Sequence, residues 1–137
     1  MPNDWRPVVR SLMYGIENDR DLPGRAERMF ETIAMAPEAA VAPPDAVSGA
    51  LEDALASDAD LASVYPFPQP HSDRDLRAMF VALSGKLRAG LAKAGEPAPS
   101  QGDWRPTGDD DHPGVALNAG DALPAEPEGW WRLIRNA

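Results

Sequence analysis

The sequence predicts a mainly α protein, with a small four-helix core, proline-rich connections and an irregular C-terminal third. Three observations support this fold class. Apolar residues recur at helical spacing in four segments, prolines separate those segments, and the helical period is missing over most of the chain after residue 95. The expected organisation is a single domain, in which residues 1–95 form the helical core and residues 96–137 pack back on it.

The clearest element is a helix over residues 72–95. Ser72 and Asp75 form a capping-box-like pair at its start, and Gly95 before Pro97 marks its end. Its large apolar residues share one face: Leu76, Met79, Phe80, Leu83, Leu87 and Leu91. Small residues line the opposite side, which is either simply exposed to solvent or a face for a homodimer: Ala78, Ala82, Gly85 and Ala89.

Two helices are expected at the start of the chain. The first runs from about residue 4 to residue 17, with Asp4 as its candidate N-cap. Pro7 falls in its first turn, where a missing N–H costs little. The second begins near Pro23, and the short polar link between the two predicts antiparallel neighbours.

The third helix begins at Pro44 and is interrupted near residues 57–60. Residues 65–70 then contain three prolines, which remove N–H donors and favour extended backbone. We expect an extended strap here, whose aromatic residues Tyr65 and Phe67 seal an edge of the core. Its alternative role is to enter the proline-binding groove of a partner.

The C-terminal third is rich in Pro, Gly and Asp, yet it carries large apolar side chains, four of them in the closing cluster Trp130, Trp131, Leu133 and Ile134. Burial of each such side chain is worth about 1.5–3 kcal/mol, so we expect the segment to fold back onto the helices. Residues 115–117 and 131–134 can pair as a short β-hairpin, and a final helix is equally compatible with the sequence.

The formal net charge of −9 at pH 7 argues against a nucleic-acid partner, because that affinity depends on a basic surface. Residues 31–73 contain eight carboxylates and no lysine or arginine, whereas residues 74–93 contain five basic residues and one acidic residue. Either the two segments lie side by side and neutralise each other, or the acidic stretch attracts a cationic partner.

Composition also bears on the cellular setting. The chain has no run of about 20 apolar residues, which a membrane-spanning helix needs. The first four residues lack the basic start of a secretory signal, so we expect a protein of the cytoplasm without membrane association. The absence of cysteine excludes disulfides and cysteine-based zinc sites.

The tetrapeptide Asp-Trp-Arg-Pro occurs twice, at residues 4–7 and 103–106. Tryptophan and arginine are enriched in binding hot spots, but a turn with a buried tryptophan is the favoured interpretation. Residues 109–112 read Asp-Asp-Asp-His, and such adjacent side chains rarely converge on one ion, so neither a metal nor a cofactor is predicted. His71 and His112 are the only histidines, and they stand in no recognisable catalytic motif.

These observations favour a small acidic protein-binding module over an enzyme. It would act by occluding a basic surface of its partner, as an inhibitor, an immunity-type protein or an adaptor. The expected partner-binding residues combine steering carboxylates with exposed aromatic anchors: Glu52, Asp53, Asp58, Asp60, Trp104 and Trp131. The alternatives are a self-associating structural subunit and a small enzyme with an acid–base or metal site at a histidine.

Overall fold

The computed structural model describes residues 4–39 and 42–136, and over these residues it shows four helices followed by a four-stranded sheet. The helices are α1 (Arg6–Leu12), α2 (Leu22–Met35), α3 (Pro44–Ala56) and α4 (Asp73–Gly90). The strands are β1 (Leu91–Lys93), β2 (Gly102–Pro106), β3 (Val115–Leu117) and β4 (Trp130–Asn136). The sheet is antiparallel, in the order β1-β4-β2-β3. Residues 1–3, on which the expectation about a secretory start depended, lie outside the described part.

The predicted fold class is therefore wrong, because the C-terminal third forms a sheet and the protein mixes helix and strand. The predicted hairpin is also wrong in its pairing. β3 and β4 do form where residues 115–117 and 131–134 suggested strands, but β2 lies between them and pairs with both. β2 contains the second copy of Asp-Trp-Arg-Pro, whose first copy leads into α1.

The helices enclose a core built from the predicted apolar stripes. α4 packs against both α2 and α3, and α1 packs against α3. The stripe of α4 is buried from Leu76 to Leu87, as its spacing predicted. Ser72 caps α4 as expected, since its Oγ accepts the N–H of Asp75 at 3.1 Å.

The end of α4 differs from the prediction, because the helix stops at Gly90 and passes directly into β1. The ring of Phe30 on α2 lies against Gly90, where a Cβ would come within 2.9 Å of the ring carbon Cζ. Leu91 is already extended, with φ −136° and ψ 137°. Close packing therefore explains the glycine, and the last residues of the predicted helix become an edge strand.

The α1 region and the strap also differ in detail. α1 ends at Leu12, and Gly15 turns the chain with φ +83° into a 3₁₀ helix, Ile16–Asn18. Trp5 occupies the N-cap position, while Asp4 accepts the N–H of Arg6. In the strap, Tyr65 is buried and its hydroxyl accepts the N–H of Gly15, whereas Phe67 is exposed, so only one of its two aromatic residues seals the core.

The two faces of the sheet serve different cores. Leu91 on β1 and Trp130 on β4 lie on the face that packs against the helices. The other face carries its own small cluster around Trp104 and Trp131, covered by Ala98 and Leu123 from the loops. Arg132 fastens the sheet to α2, because it pairs with the Glu31 carboxylate at 3.0 Å and lies over the Phe30 ring.

A polar clasp joins the end of α3 to the start of α4. Asp73 accepts the N–H of Leu61 at 2.7 Å and the Nε–H of Arg77 at 2.8 Å. The remaining guanidinium N–H groups of Arg77 donate to the carbonyls of Leu55, Ser57 and Ala59. The Leu61 N–H, with a further contribution from Arg77, holds the pKa of Asp73 below its usual value.

The Asp73→Asn substitution is expected to lower the free energy of unfolding at pH 7 by about 1–2 kcal/mol, because hydrogen bonds to a charged acceptor are stronger than those to an amide. The folded-state pKa of Asp73 is lowered, so its carboxylate stabilises the fold above the unfolded pKa of about 3.9. That stability is lost as the pH falls through the folded-state pKa. Urea unfolding should therefore show a difference at pH 7 that shrinks below about pH 4.

Asp75→Asn is the matched control, since Asp75 lies in the same helical turn and its exposed side chain makes no ion pair among the described residues. A pH-independent loss in Asp73→Asn, or an equal loss in the control, would contradict the clasp.

Candidate partner-binding groove

A groove of about 380 Å³ lies where the helices meet the sheet. One wall is α3, and the other is formed by the end of α4, by β1 and by the loop that follows it. Trp130 of β4 also lines it, and this ring is only partly buried. We call this space the α3 groove.

The amphipathic pattern of α3 explains why carboxylates border the groove. Val47, Leu51 and Ala54 turn inward and are fully buried. The i, i+4 and i+7 positions Asp45, Gly49 and Glu52 then share a solvent-facing side. Gly49 has no side chain, and no atom lies within 4 Å of the place that a Cβ would occupy, so the surface of α3 is open at this residue.

A second cavity, of about 510 Å³, lies beyond Gly49 between α1 and α3. It shares Asp45 and Gly49 with the α3 groove, so the two spaces are adjacent along the outside of α3. Five carboxylates border them, and we call this set the acidic rim: Asp4, Asp45, Glu52, Asp53 and Glu96.

Ion pairs neutralise part of the acidic rim. Glu52 contacts Arg88, Asp45 lies 3.4 Å from the Nζ of Lys93, and Asp4 meets Arg6. Over the described residues Asp53 and Glu96 make no ion pair. The acidic and basic segments thus do lie side by side, as one interpretation of the sequence required, and unpaired negative charge still remains beside the groove.

Across the whole described chain, ten of the 13 lysine and arginine side chains lie in ion pairs. The other three are Arg10, Arg20 and Arg74. Most positive charge is therefore matched by a nearby carboxylate of the same chain, and the excess charge is negative.

Lys93 lies beside the groove, next to two of its lining residues, Trp130 and Asp45. Its Nζ lies 5.4 Å from the centroid of the Trp130 ring, within the range of a cation–π interaction. Lys93 and Trp130 are cross-strand partners in the β1–β4 pair, which fixes their relative position. The Lys93 ammonium therefore contacts an aromatic face and the Asp45 carboxylate together.

The predicted partner-binding carboxylates are all exposed, but they lie in two places. Glu52 and Asp53 are on α3, whereas Asp58 and Asp60 follow its end. Asp60 accepts hydrogen bonds from the Ala62 N–H and the Ser63 hydroxyl, so it caps a 3₁₀ turn there. Its carboxylate therefore has a structural role in this turn.

The expectation that Trp104 and Trp131 are exposed anchors needs correction, because their side chains are 0% and 1% exposed. Each indole N–H donates to a backbone carbonyl, that of Ser100 or that of Pro127. The accessible aromatic side chain at this end is Trp130, which the sequence reasoning did not select. The period of two in a strand could have identified it, since adjacent residues face opposite sides of a sheet.

The histidines occupy two unrelated places. The Nε2 of His71 lies 2.6 Å from the carbonyl oxygen of Asp19, and the ring borders a cavity of about 350 Å³ beside Arg20 and Asp75. His112 accepts the N–H of Gly114 and packs edge-on against Trp131. Over the described residues no three His, Asp or Glu side chains stand close enough together to hold a metal ion.

The small-residue side of α4 is exposed, from Ala78 to Ala89, and Val81 beside it is 58% exposed. The homodimer alternative that rests on this face stays a prediction. None of the helices in the described part is both long and apolar enough to cross a membrane.

Comparison with known proteins yields no match: no protein-family model, curated protein or solved structure is significantly similar to this chain.

Proposed function

We propose that this protein is a small binding module that takes a basic segment of a partner protein into the α3 groove. The observation that carries the proposal is a groove between helix and sheet whose lining combines the partly buried Trp130 with three carboxylates, Asp45, Glu52 and Glu96, and one cation, Arg88. Aromatic side chains supply contact area at a small entropic cost, and surrounding negative charge attracts cationic partners.

The groove favours an extended or helical segment of a protein over a small molecule. Together with the adjacent cavity past Gly49, it forms a strip along the outside of α3 from Trp130 to Trp5. A bound segment would cover a strip of its own basic surface. The consequence for the partner is steric and electrostatic occlusion, the mode of action of an inhibitor, an immunity-type protein or an adaptor.

Neutralising four exposed carboxylates beside α3 should weaken binding of a basic peptide. The quadruple variant combines Asp45→Asn, Glu52→Gln, Asp53→Asn and Glu96→Gln, four members of the acidic rim. It leaves Asp60 in place, because that residue caps a turn. Each exposed charge pair is worth about 0.2–1 kcal/mol, so hexalysine should bind the variant about tenfold more weakly at low salt. Titration by tryptophan fluorescence measures the affinity, and added salt should reduce the difference.

The matched control removes the same charge elsewhere, with Asp109→Asn, Asp111→Asn, Glu126→Gln and Glu128→Gln. None of these side chains borders the groove. The control should lose only the small part of the affinity that depends on net charge. Equal weakening of both variants would contradict a localised site and leave only a general attraction between unlike charges.

A further inference from the structure

Lys93 is the feature of the groove that the proposed function does not explain. A protein that binds basic segments would be expected to keep its aromatic anchor free of positive charge. Here the ammonium of Lys93 lies over Trp130 and beside Asp45, in the position that a partner's cation would favour. Two cations of the chain therefore lie at the groove: Arg88, which lines it and pairs with Glu52, and Lys93, which occupies the space over Trp130.

The contacts of Lys93 are of the kind that exchange easily. Its Nζ is 3.4 Å from the Asp45 carboxylate, which is long for a charged hydrogen bond. The two side chains are 47% and 59% exposed. Exposed pairs of this kind contribute about 0–1 kcal/mol, so the lysine can leave into water at little cost.

The protein backbone, in contrast, holds the acceptor groups in place. Trp130 belongs to β4, which pairs with β1 on one side and with β2 on the other. Asp45 lies in the first turn of α3, whose inner face is buried. Because the backbone of Asp45 and Trp130 is anchored while the Lys93 ammonium is bound weakly, the occupant of this subsite can change without a change in the fold.

We propose that Lys93 occupies a cation subsite formed by Trp130 and Asp45, and that a lysine or arginine side chain of the partner displaces it. This proposal rests on the proposed function. The displaced ammonium remains hydrated at the rim. Competition of this kind lowers the apparent affinity for the partner, because the partner's cation can enter only during the fraction of time in which Lys93 has left the subsite. A partner must therefore bring further contacts along the groove, which favours a basic segment over a single free cation.

The direct test follows Lys93 in the wild-type protein. Protons near the face of an indole ring resonate upfield, so the side-chain ε-CH₂ protons of Lys93 should carry a ring-current shift from Trp130. Titration with hexalysine should move this signal to the position of a solvated lysine as the peptide saturates the groove. If the peptide binds and the Lys93 signal does not change, the displacement proposal is wrong. The proposed function would still stand, because the peptide has bound.

The second experiment compares the affinities of two lysine variants for hexalysine. Lys93→Gln should bind hexalysine about three- to tenfold more tightly than the control Lys86→Gln, because both lose one charge but only the first empties the subsite. Lys86 pairs with Glu27 on α2, outside the groove. Adding Asp45→Asn to Lys93→Gln should remove most of the gain.

Equal affinities for Lys93→Gln and Lys86→Gln would overturn the displacement while leaving the acidic-rim result intact. If wild type, both lysine variants and the net-charge control all fail to bind the peptide, the proposed function itself fails.

Discussion

Replacing Trp104 by alanine is expected to lower the free energy of unfolding by about 3–5 kcal/mol, the range for removing a large aromatic side chain from a core. Trp104 has no exposed surface and lies on β2, a central strand, where it is paired with Val115 on β3 and Leu133 on β4. The cluster around it is small, and its other buried members are Trp131, Leu123 and two alanines, so removal of the indole leaves a cavity that takes up much of this core. The loss is a large share of the 5–15 kcal/mol that is typical of a folded domain.

Urea unfolding followed by far-ultraviolet circular dichroism measures this effect. Trp130→Ala is the matched control, because Trp130 lies in the same sheet but is only partly buried. It should lose clearly less stability than Trp104→Ala. The conservative Trp104→Phe should recover part of the loss, since it restores a ring but not the hydrogen bond to the Ser100 carbonyl. A loss for Trp104→Ala no greater than that of the Trp130 control would contradict the assigned sheet core.

The helical part of the fold was accessible from the sequence because its signals are long and repeated. The stripe of α4 spans four turns, and local chemistry marks its start at Ser72. Pro44 likewise marks the first turn of α3. The end of α4 was less accessible, because Gly90 is explained by the Phe30 ring of another helix, a contact with no local signal.

The sheet was missed because its strands carry little pattern. β1 and β3 have three residues each, too few to show alternation, and β2 begins at a glycine and ends at a proline. The tetrapeptide Asp-Trp-Arg-Pro adopts two conformations in this protein, so its local preference does not determine the structure. Tertiary pairing with β4 decides it, and such pairing cannot be derived from one segment alone.

Only part of the candidate site could be predicted from the sequence, because the rest depends on tertiary pairing. The acidic character of α3 follows from its sequence, and its buried stripe fixes which side the carboxylates occupy. The groove itself arises because β1 follows α4 without a loop and brings Trp130 beside α3 through strand pairing. The pairs that neutralise part of the rim also depend on this arrangement, since Lys93 and Asp45 are 48 residues apart.

Replacing Gly102 by alanine should destabilise the protein by about 3 kcal/mol or more, through backbone strain and steric overlap together. Gly102 opens β2 with φ +151°, a conformation that residues with a Cβ rarely adopt. An added Cβ would stand 2.1 Å from the carbonyl oxygen of Arg135 on β4. That oxygen belongs to the backbone of the paired strand, so the clash can be relieved only by moving β4 away from β2.

Gly85→Ala is the matched control and should have the opposite sign. Gly85 is an exposed residue within α4, with no atom within 4 Å of the added Cβ. Alanine is favoured over glycine in a helix by about 0.8–1 kcal/mol, so this variant should be more stable than the wild type. If the urea midpoint falls in Gly102→Ala and rises in Gly85→Ala, the loss of stability at Gly102 is due to the close approach of β2 and β4 and not to glycine replacement in general. A Gly102→Ala protein within about 1 kcal/mol of the wild type would contradict the close approach of β2 and β4 at this residue.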